Sequence, residues 1–270
     1  MLTKLFGRPR TTPAPSRPEI PSGVRVWAIG DIHGRLDLLE PLVAAVRSDL
    51  EASGATRKVC IFLGDYIDRG PASCEVIRFL TGLDRAGPIE WRFLKGNHEE
   101  TMLDFLDDPS VGPAWCTYGG DTTLRSYGLR PPAVKHVAGG WASLSQDLAH
   151  KLLPGEQAFL EGLELSVEIG GYFFAHAGAR PGVPLLKQRP HDLMWIRRTF
   201  LDSDVPFERI VVHGHTPTSD VHVDARRVGI DTKAYESGML TALGLWKGER
   251  RLLKAVETPE GVAIRPEGLA

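Results

Sequence analysis

Cysteine is scarce: the 270 residues contain only Cys60, Cys74 and Cys116, with no Cys-x-x-Cys spacing. That excludes a disulfide framework and a structural zinc clip, and makes the cytosol the default compartment. Cys60 lies inside an apolar run and reads as a small buried hydrophobe. An excess of one charge is also missing. Thirty-two Lys and Arg against 34 Asp and Glu leave a net charge of -2 and a pI near 6.5. Neither nucleic acid nor an anionic membrane is therefore an expected partner. No apolar stretch nears the roughly 18 residues of a membrane span, and Gly-x-x-x-x-Gly-Lys-Ser/Thr does not occur. A nucleotide cofactor held by such a loop is not expected. No internal repeat is visible.

The organisation follows from composition. Residues 1–22 carry Lys4, Arg8, Arg10 and Arg17 among several prolines but no apolar block. They read as a disordered leader; that composition also disfavours the amphipathic helix of an organelle transit peptide. Residues 23–258 read as one catalytic domain and 259–270 as a flexible tail. Residues 108–160, broken by many Gly and Pro, read as a mostly helical insertion whose Trp115, Tyr118, Tyr127 and Trp141 pack a small subdomain.

What is present is a repeated pattern. Val24 to Ile29, Val59 to Leu63 and Ile89 to Leu94 are apolar runs that predict buried strands, alternating with helical patterns at 36–52, 72–83 and 99–107. Strand–helix–strand order implies a largely parallel sheet whose ligands gather at the carboxyl ends of the strands. Each run is followed at once by a polar motif: Gly-Asp-Ile-His-Gly at 30–34, Gly-Asp-Tyr-Ile-Asp-Arg-Gly at 64–70 and Gly-Asn-His-Glu at 96–99. Further on, a hairpin across Gly170-Gly171 ends at His176, a helix is expected over 191–202, and a strand at Ile210 to Val212 runs into His213-Gly214-His215. Val228 to Ile230, Met239 to Leu245 and Leu252 to Val256 are expected to form a second sheet packed on the first.

Asp and His with an asparagine amide oxygen are harder than a thiolate site and softer than an all-oxygen one, which suits Mn, Fe or Zn. Asp65, on the middle of the first three motifs, is the natural bridging carboxylate. Asp31 and His33 would hold one ion, and Asn97, His176 and His215 the other. Two ions about 3.5 to 4 Å apart can clamp a phosphoryl group and lower the pKa of a shared water.

The motifs at 30–34, 64–70 and 96–99, with His176-Ala177-Gly178 and Gly214-His215-Thr216, resemble the phosphoprotein phosphatase branch of the calcineurin-like metallophosphoesterases. The resemblance spans roughly residues 24–245. It implies an α/β sandwich of two mixed sheets flanked by helices, with two divalent ions, Mn foremost, held by Asp31, His33, Asp65, Asn97, His176 and His215. It also implies in-line attack on phosphorus by a hydroxide bridging the metals, with His98 as general acid, oriented by Asp68, and Arg69 on the phosphate oxygens. For a second phosphate-binding arginine, Arg197 is preferred to Arg180. Pro217 stands where the wider superfamily carries a further ligand, leaving His213 a packing role. No arginine follows any cysteine by six places, so a thiol-based phosphatase is excluded. The expected reaction is dephosphorylation of phosphoserine or phosphothreonine, with phosphotyrosine open. A symmetrical dinucleoside tetraphosphate hydrolase is the alternative, with Trp115, Tyr118 and Trp141 as purine platforms. A catalytically silent metal-binding scaffold is the alternative from another class.

Overall fold

The computed structural model describes residues 18–132 and 138–269. Most of the expected leader, residues 1–17, lies outside the described residues. In chain order the strands are β1 Val24–Ile29, β2 Arg57–Phe62, β3 Ile89–Phe93, β4 Ser166–Ile169, β5 Tyr172–Ala175, β6 Ile210–His213, β7 His222–Val223, β8 Arg227–Gly229, β9 Met239–Trp246, β10 Glu249–Thr258 and β11 Gly261–Leu269. The helices are α1 Leu36–Ala52, α2 Ser73–Thr81, α3 Asn97–Asp107, α4 Gly112–Thr117, α5 Gly120–Ser126, α6 Ala138–Lys151, α7 Pro154–Glu161, α8 Pro190–Trp195, α9 Arg198–Leu201 and α10 Ala234–Ser237.

Two mixed sheets result, one in the order β11-β10-β9-β1-β2-β3 and the other β4-β5-β6-β8-β7. β1, β2 and β3 are parallel, as are β5, β6 and β8. The C-terminal halves of β1 and β2, and all of β5 and β6, are buried on both faces, whereas β3 alternates between buried Ile89, Trp91 and Phe93 and part-exposed Glu90 and Arg92. Val26 and Ala28 of β1 and Val59 and Ile61 of β2 face the second sheet and pack with Phe174, Val212 and Val228. Trp27, Ile29, Cys60 and Phe62 face the other way, under α1 and α2. The outer face of the second sheet is closed by Leu193, Ile196 and Phe200 against Phe173 and Val211. Burying each such side chain stabilises the fold by about 1.5–3 kcal/mol.

Three expectations are corrected. β9 and β10 do not join a second sheet; β9 pairs antiparallel with β1 and extends the first. In that register Gly244 lies beside Trp27, and any Cβ at 244 would crowd the indole. Residues 261–269, expected as a tail, form the outermost strand, paired along its length with β10. The end of the leader is also docked: Ile20 is buried, and its N–H donates to the Lys247 carbonyl.

The insertion is helical, as its composition suggested, with α4 to α7 inside 108–161. Trp115, Tyr127 and Trp141 are buried, whereas Tyr118 is 68% exposed. The expected helix over 191–202 is two short helices, α8 and α9, separated by Ile196 and Arg197.

Candidate active site

Every predicted ligand lies just beyond the carboxyl end of a strand. Asp31 and His33 follow β1, Asp65 follows β2, Asn97 follows β3, His176 follows β5 and His215 follows β6. The two sheets thus deliver their carboxyl ends to one rim, where parallel strands place ligand-binding loops. The loops turn sharply there. His33, Asp65, Asp68, Arg69 and His215 all adopt left-handed backbone, with φ of 46°, 51°, 71°, 68° and 61°. Such conformations cost a non-glycine residue on the order of 1–2 kcal/mol, and they cluster at functional sites. Gly214 permits the tightest approach, since a Cβ there would overlap Asp31 Oδ1.

The histidine tautomers follow from their backbone contacts. His33 Nδ1–H donates to the Ile67 carbonyl at 2.7 Å, and His176 Nδ1–H donates to the Leu63 carbonyl at 2.9 Å. Each ring therefore turns an Nε2 lone pair inward. His33 Nε2 lies 3.5 Å from Asp65 Oδ2, and His176 Nε2 lies 3.3 Å from Asp65 Oδ1. His176 Nε2 is also 3.1 Å from both Asn97 Oδ1 and His215 Nδ1. Asn97 Oδ1 and Asp65 Oδ1 thus face the His176 Nε2 lone pair, acceptor on acceptor, and a cation is the group that reconciles them. Asp31 holds the His215 N–H through Oδ2 at 2.9 Å, while Asp31 Oδ1 and His215 Nε2 are buried with no protein partner among the described residues. Burial holds the His33 imidazole down to about 3 and His215 to about 2, so both are neutral and free to ligate. Burial alone would raise Asp65; His176, His98, His33 and His215 together bring it below the ordinary carboxylate range.

Two groups, His33, Asp65 and His98, and Asp65, His176 and His215, each bring ligand atoms within 4.8 Å of one another. Asp65 is common to both, which fits two ions sharing one carboxylate. His98 differs from the other histidines in being held by a carboxylate. Its Nδ1 is 2.5 Å from Asp68 Oδ2, which also accepts from Trp115 Nε1–H at 2.8 Å, while Thr123 Oγ1–H donates to Asp68 Oδ1 at 2.6 Å. Burial alone would lower the His98 imidazole, but Asp65 and the Asp68 hydrogen bond raise it to about 9.

Arg69 does not pair with Asp68; its Nη2 is 3.5 Å from His98 Nε2 and its guanidinium lies 4.6 Å over the Tyr235 ring. A cavity of about 350 Å³ opens beside His98, lined by Arg69 and Arg197 and by Trp115, Tyr118 and Trp195. Arg180 is elsewhere, forked onto Asp192 at 2.8 and 2.6 Å. The break between α8 and α9 is what turns Arg197, not Arg180, to the cavity. His213 packs on Phe200 and contacts Arg227, away from the rim.

Sequence reasoning missed several supports. Glu99, inside the third motif, is fully buried and accepts from the N–H groups of Asp65 at 2.9 Å, Tyr66 at 2.7 Å and Gly96 at 2.9 Å. It staples the second motif to the third. Removing it strands those donors, each costing about 1–3 kcal/mol. Glu99→Ala is therefore expected to lose at least about 3 kcal/mol of stability, read as a shifted urea midpoint; an unshifted midpoint refutes the role. Thr123 and Tyr235 were also missed, and no local signal marks either.

Residues 24–241 match the calcineurin-like phosphoesterase family. The chain is 28% identical over 228 residues to the asymmetrical bis(5'-nucleosyl)-tetraphosphatase PrpE of Bacillus subtilis, covering 79% of this chain and 87% of that protein. Over 99 residues it is 35% identical to serine/threonine-protein phosphatase 2 of Escherichia coli, covering 36% of this chain and 38% of that one. The fold is similar to a cold-active protein-tyrosine phosphatase from Shewanella sp., with a TM-score of 0.53 at 18% identity, over 88% of this chain and 81% of that one. With the five motifs gathered on one rim and the match running through all of them, this chain belongs to the calcineurin-like phosphoesterases, metal-dependent hydrolases.

Proposed function

We propose that this protein hydrolyses dinucleoside tetraphosphates asymmetrically, releasing a nucleoside monophosphate and a nucleoside triphosphate. The observation that carries this reading is the cavity beside His98, whose lining combines two arginines with three aromatic side chains. Likeness to PrpE along most of both chains supports it. Phosphoprotein hydrolysis, the expectation from the motifs alone, is the second reading. The local likeness to a serine/threonine phosphatase and the His98–Asp68 pair, suited to a poor leaving group, favour it.

Asp31, His33, Asp65, Asn97, His176 and His215 would hold two divalent ions. Bound there, the ions supply Lewis acidity toward phosphoryl oxygens and a water acidic enough to attack near neutral pH. The remaining work falls to this chain's own side chains. Arg69 and Arg197 offer planar forks to nonbridging oxygens, offsetting charge as the bond to phosphorus breaks. His98 is placed to give an Nε2 proton to the departing oxygen, and Asp68 steadies the ring from Nδ1.

Tyr235 positions Arg69 by stacking, a contact worth about 0.5–2 kcal/mol. Tyr235→Leu is expected to lower kcat/KM about 3- to 20-fold with metal content unchanged, and Tyr235→Phe to restore it. Equal rates in all three proteins would refute the positioning role.

The reading itself is tested by assaying diadenosine tetraphosphate beside phosphoserine, phosphothreonine and phosphotyrosine peptides in Mn, with products resolved by chromatography. AMP and ATP from the first, well ahead of any peptide, supports it; two ADP, or peptide turnover alone, overturns it.

A further inference from the structure

We propose that Tyr118 and Trp195 form a slot for a planar aromatic ring on the leaving side of the substrate, the base of the departing nucleotide. The inference rests on the function proposed above. The proton of His98 goes to the leaving oxygen, and His98 opens into this cavity, so whatever departs must occupy it. The space is therefore the leaving-group site.

The two indoles in its wall spend their donors elsewhere. Trp115 spends its indole N–H on Asp68. Trp195 spends its own on Glu100 of α3, the helix that carries His98, and the His191 ring stacks beside it at 6.2 Å. With both indole donors turned away, Trp115 and Trp195 offer the cavity π surface. Trp115 is 1% exposed and forms the floor; Tyr118, at 68%, stands free on the rim. An exposed tyrosine has no packing reason to be there, and its three companions in the insertion, Trp115, Tyr127 and Trp141, are all buried. At about 350 Å³ the cavity is in the size range of small-molecule sites. A seryl or threonyl side chain would leave most of it unfilled, whereas a purine or a phenyl ring stacks on such walls with about 1–3 kcal/mol per ring. Arg69 and Arg197 line the same cavity and offer guanidinium forks to the phosphate chain.

The test compares wild type with Tyr118→Ala, Tyr118→Phe and Trp195→Leu on α-naphthyl phosphate, methyl phosphate, diadenosine tetraphosphate and a phosphotyrosine peptide. In the alanine and leucine variants, the ratio of kcat/KM for naphthyl to methyl phosphate should fall about tenfold, mainly through KM, and Tyr118→Phe should restore it. An unchanged ratio overturns the slot. A lower ratio in a protein that leaves diadenosine tetraphosphate intact keeps the slot, refutes the nucleotide reading and assigns the ring to phosphotyrosine if that peptide shows the same loss.

Discussion

Asp65→Asn is expected to strip both metal positions at once. Asp65 is the carboxylate common to the two ligand groups, with Oδ2 toward His33 and Oδ1 toward His176. An asparagine has one acceptor where aspartate has two, and its NH2 would face an imidazole lone pair and satisfy it. The metal-free fold should therefore tolerate the change while the ions lose their shared anion. Metal analysis should fall from about two ions per chain to well below one. Losing several kcal/mol of transition-state stabilisation, at about 1.36 kcal/mol per decade, should reduce kcat by about 10³-fold or more. Wild-type Tm should rise with added Mn, by mass action on the folded state, and the variant's should not. His176→Asn provides the contrast, since His176 belongs to only one group and its loss should spare one ion. If Asp65→Asn keeps one ion at full affinity, the two groups do not share that carboxylate.

His98→Ala separates proton delivery from metal binding. The other ligands stay in place, so metal content should hold near two, while turnover of an alkyl phosphoester such as methyl phosphate should fall by about 10²- to 10⁴-fold. A nitrophenolate needs far less help to depart, so p-nitrophenyl phosphate should lose much less. The spread between the two substrates is the diagnostic, because a merely structural lesion would depress both alike. Asp68→Asn should give a milder version of the same spread, since Asp68 also receives Trp115 and Thr123 and its amide would keep part of that network. Equal losses on both substrates would mean that His98 does not protonate the leaving group, and its place beside His33 and Asp65 would then make it a metal ligand.

The parts legible in the sequence are those whose cause is local. β1 and β2 were recognisable because their C-terminal halves are buried on both faces and read as apolar runs, β3 by its alternating Ile89, Trp91 and Phe93, and each delivers its motif within a few residues of the strand end. That proximity put Asp31, His33, Asp65 and Asn97 on one rim before any tertiary contact was considered. The supports were not legible because their partners are remote in the chain: Trp115 lies 47 residues from Asp68, and Thr123 lies 55. Glu99 stood in plain view within Gly-Asn-His-Glu, yet a carboxylate one place after an expected imidazole acid gave no sign that it would turn inward to hold Asp65, Tyr66 and Gly96. β9 and β10 were assigned to the wrong sheet for a related reason. An apolar run reports burial but not which neighbour completes its hydrogen bonds, and only the space Gly244 leaves for Trp27 accompanies the pairing with β1.

The kind of chemistry was readable from the sequence: oxygen and imidazole ligands at strand ends, an imidazole next to a ligand, and no Cys-x5-Arg pattern or Walker loop to compete. The choice between Arg180 and Arg197 was settled only by tertiary structure, through a helix break that frees one guanidinium and an aspartate that engages the other. The same holds for the aromatic cavity, since Tyr118 and Trp195 are 77 positions apart and meet only because the insertion folds back over α3. Ligand identity is carried by a few residues and the strand that precedes them. The shape offered to a substrate depends on how distant segments pack, and no local pattern encodes that.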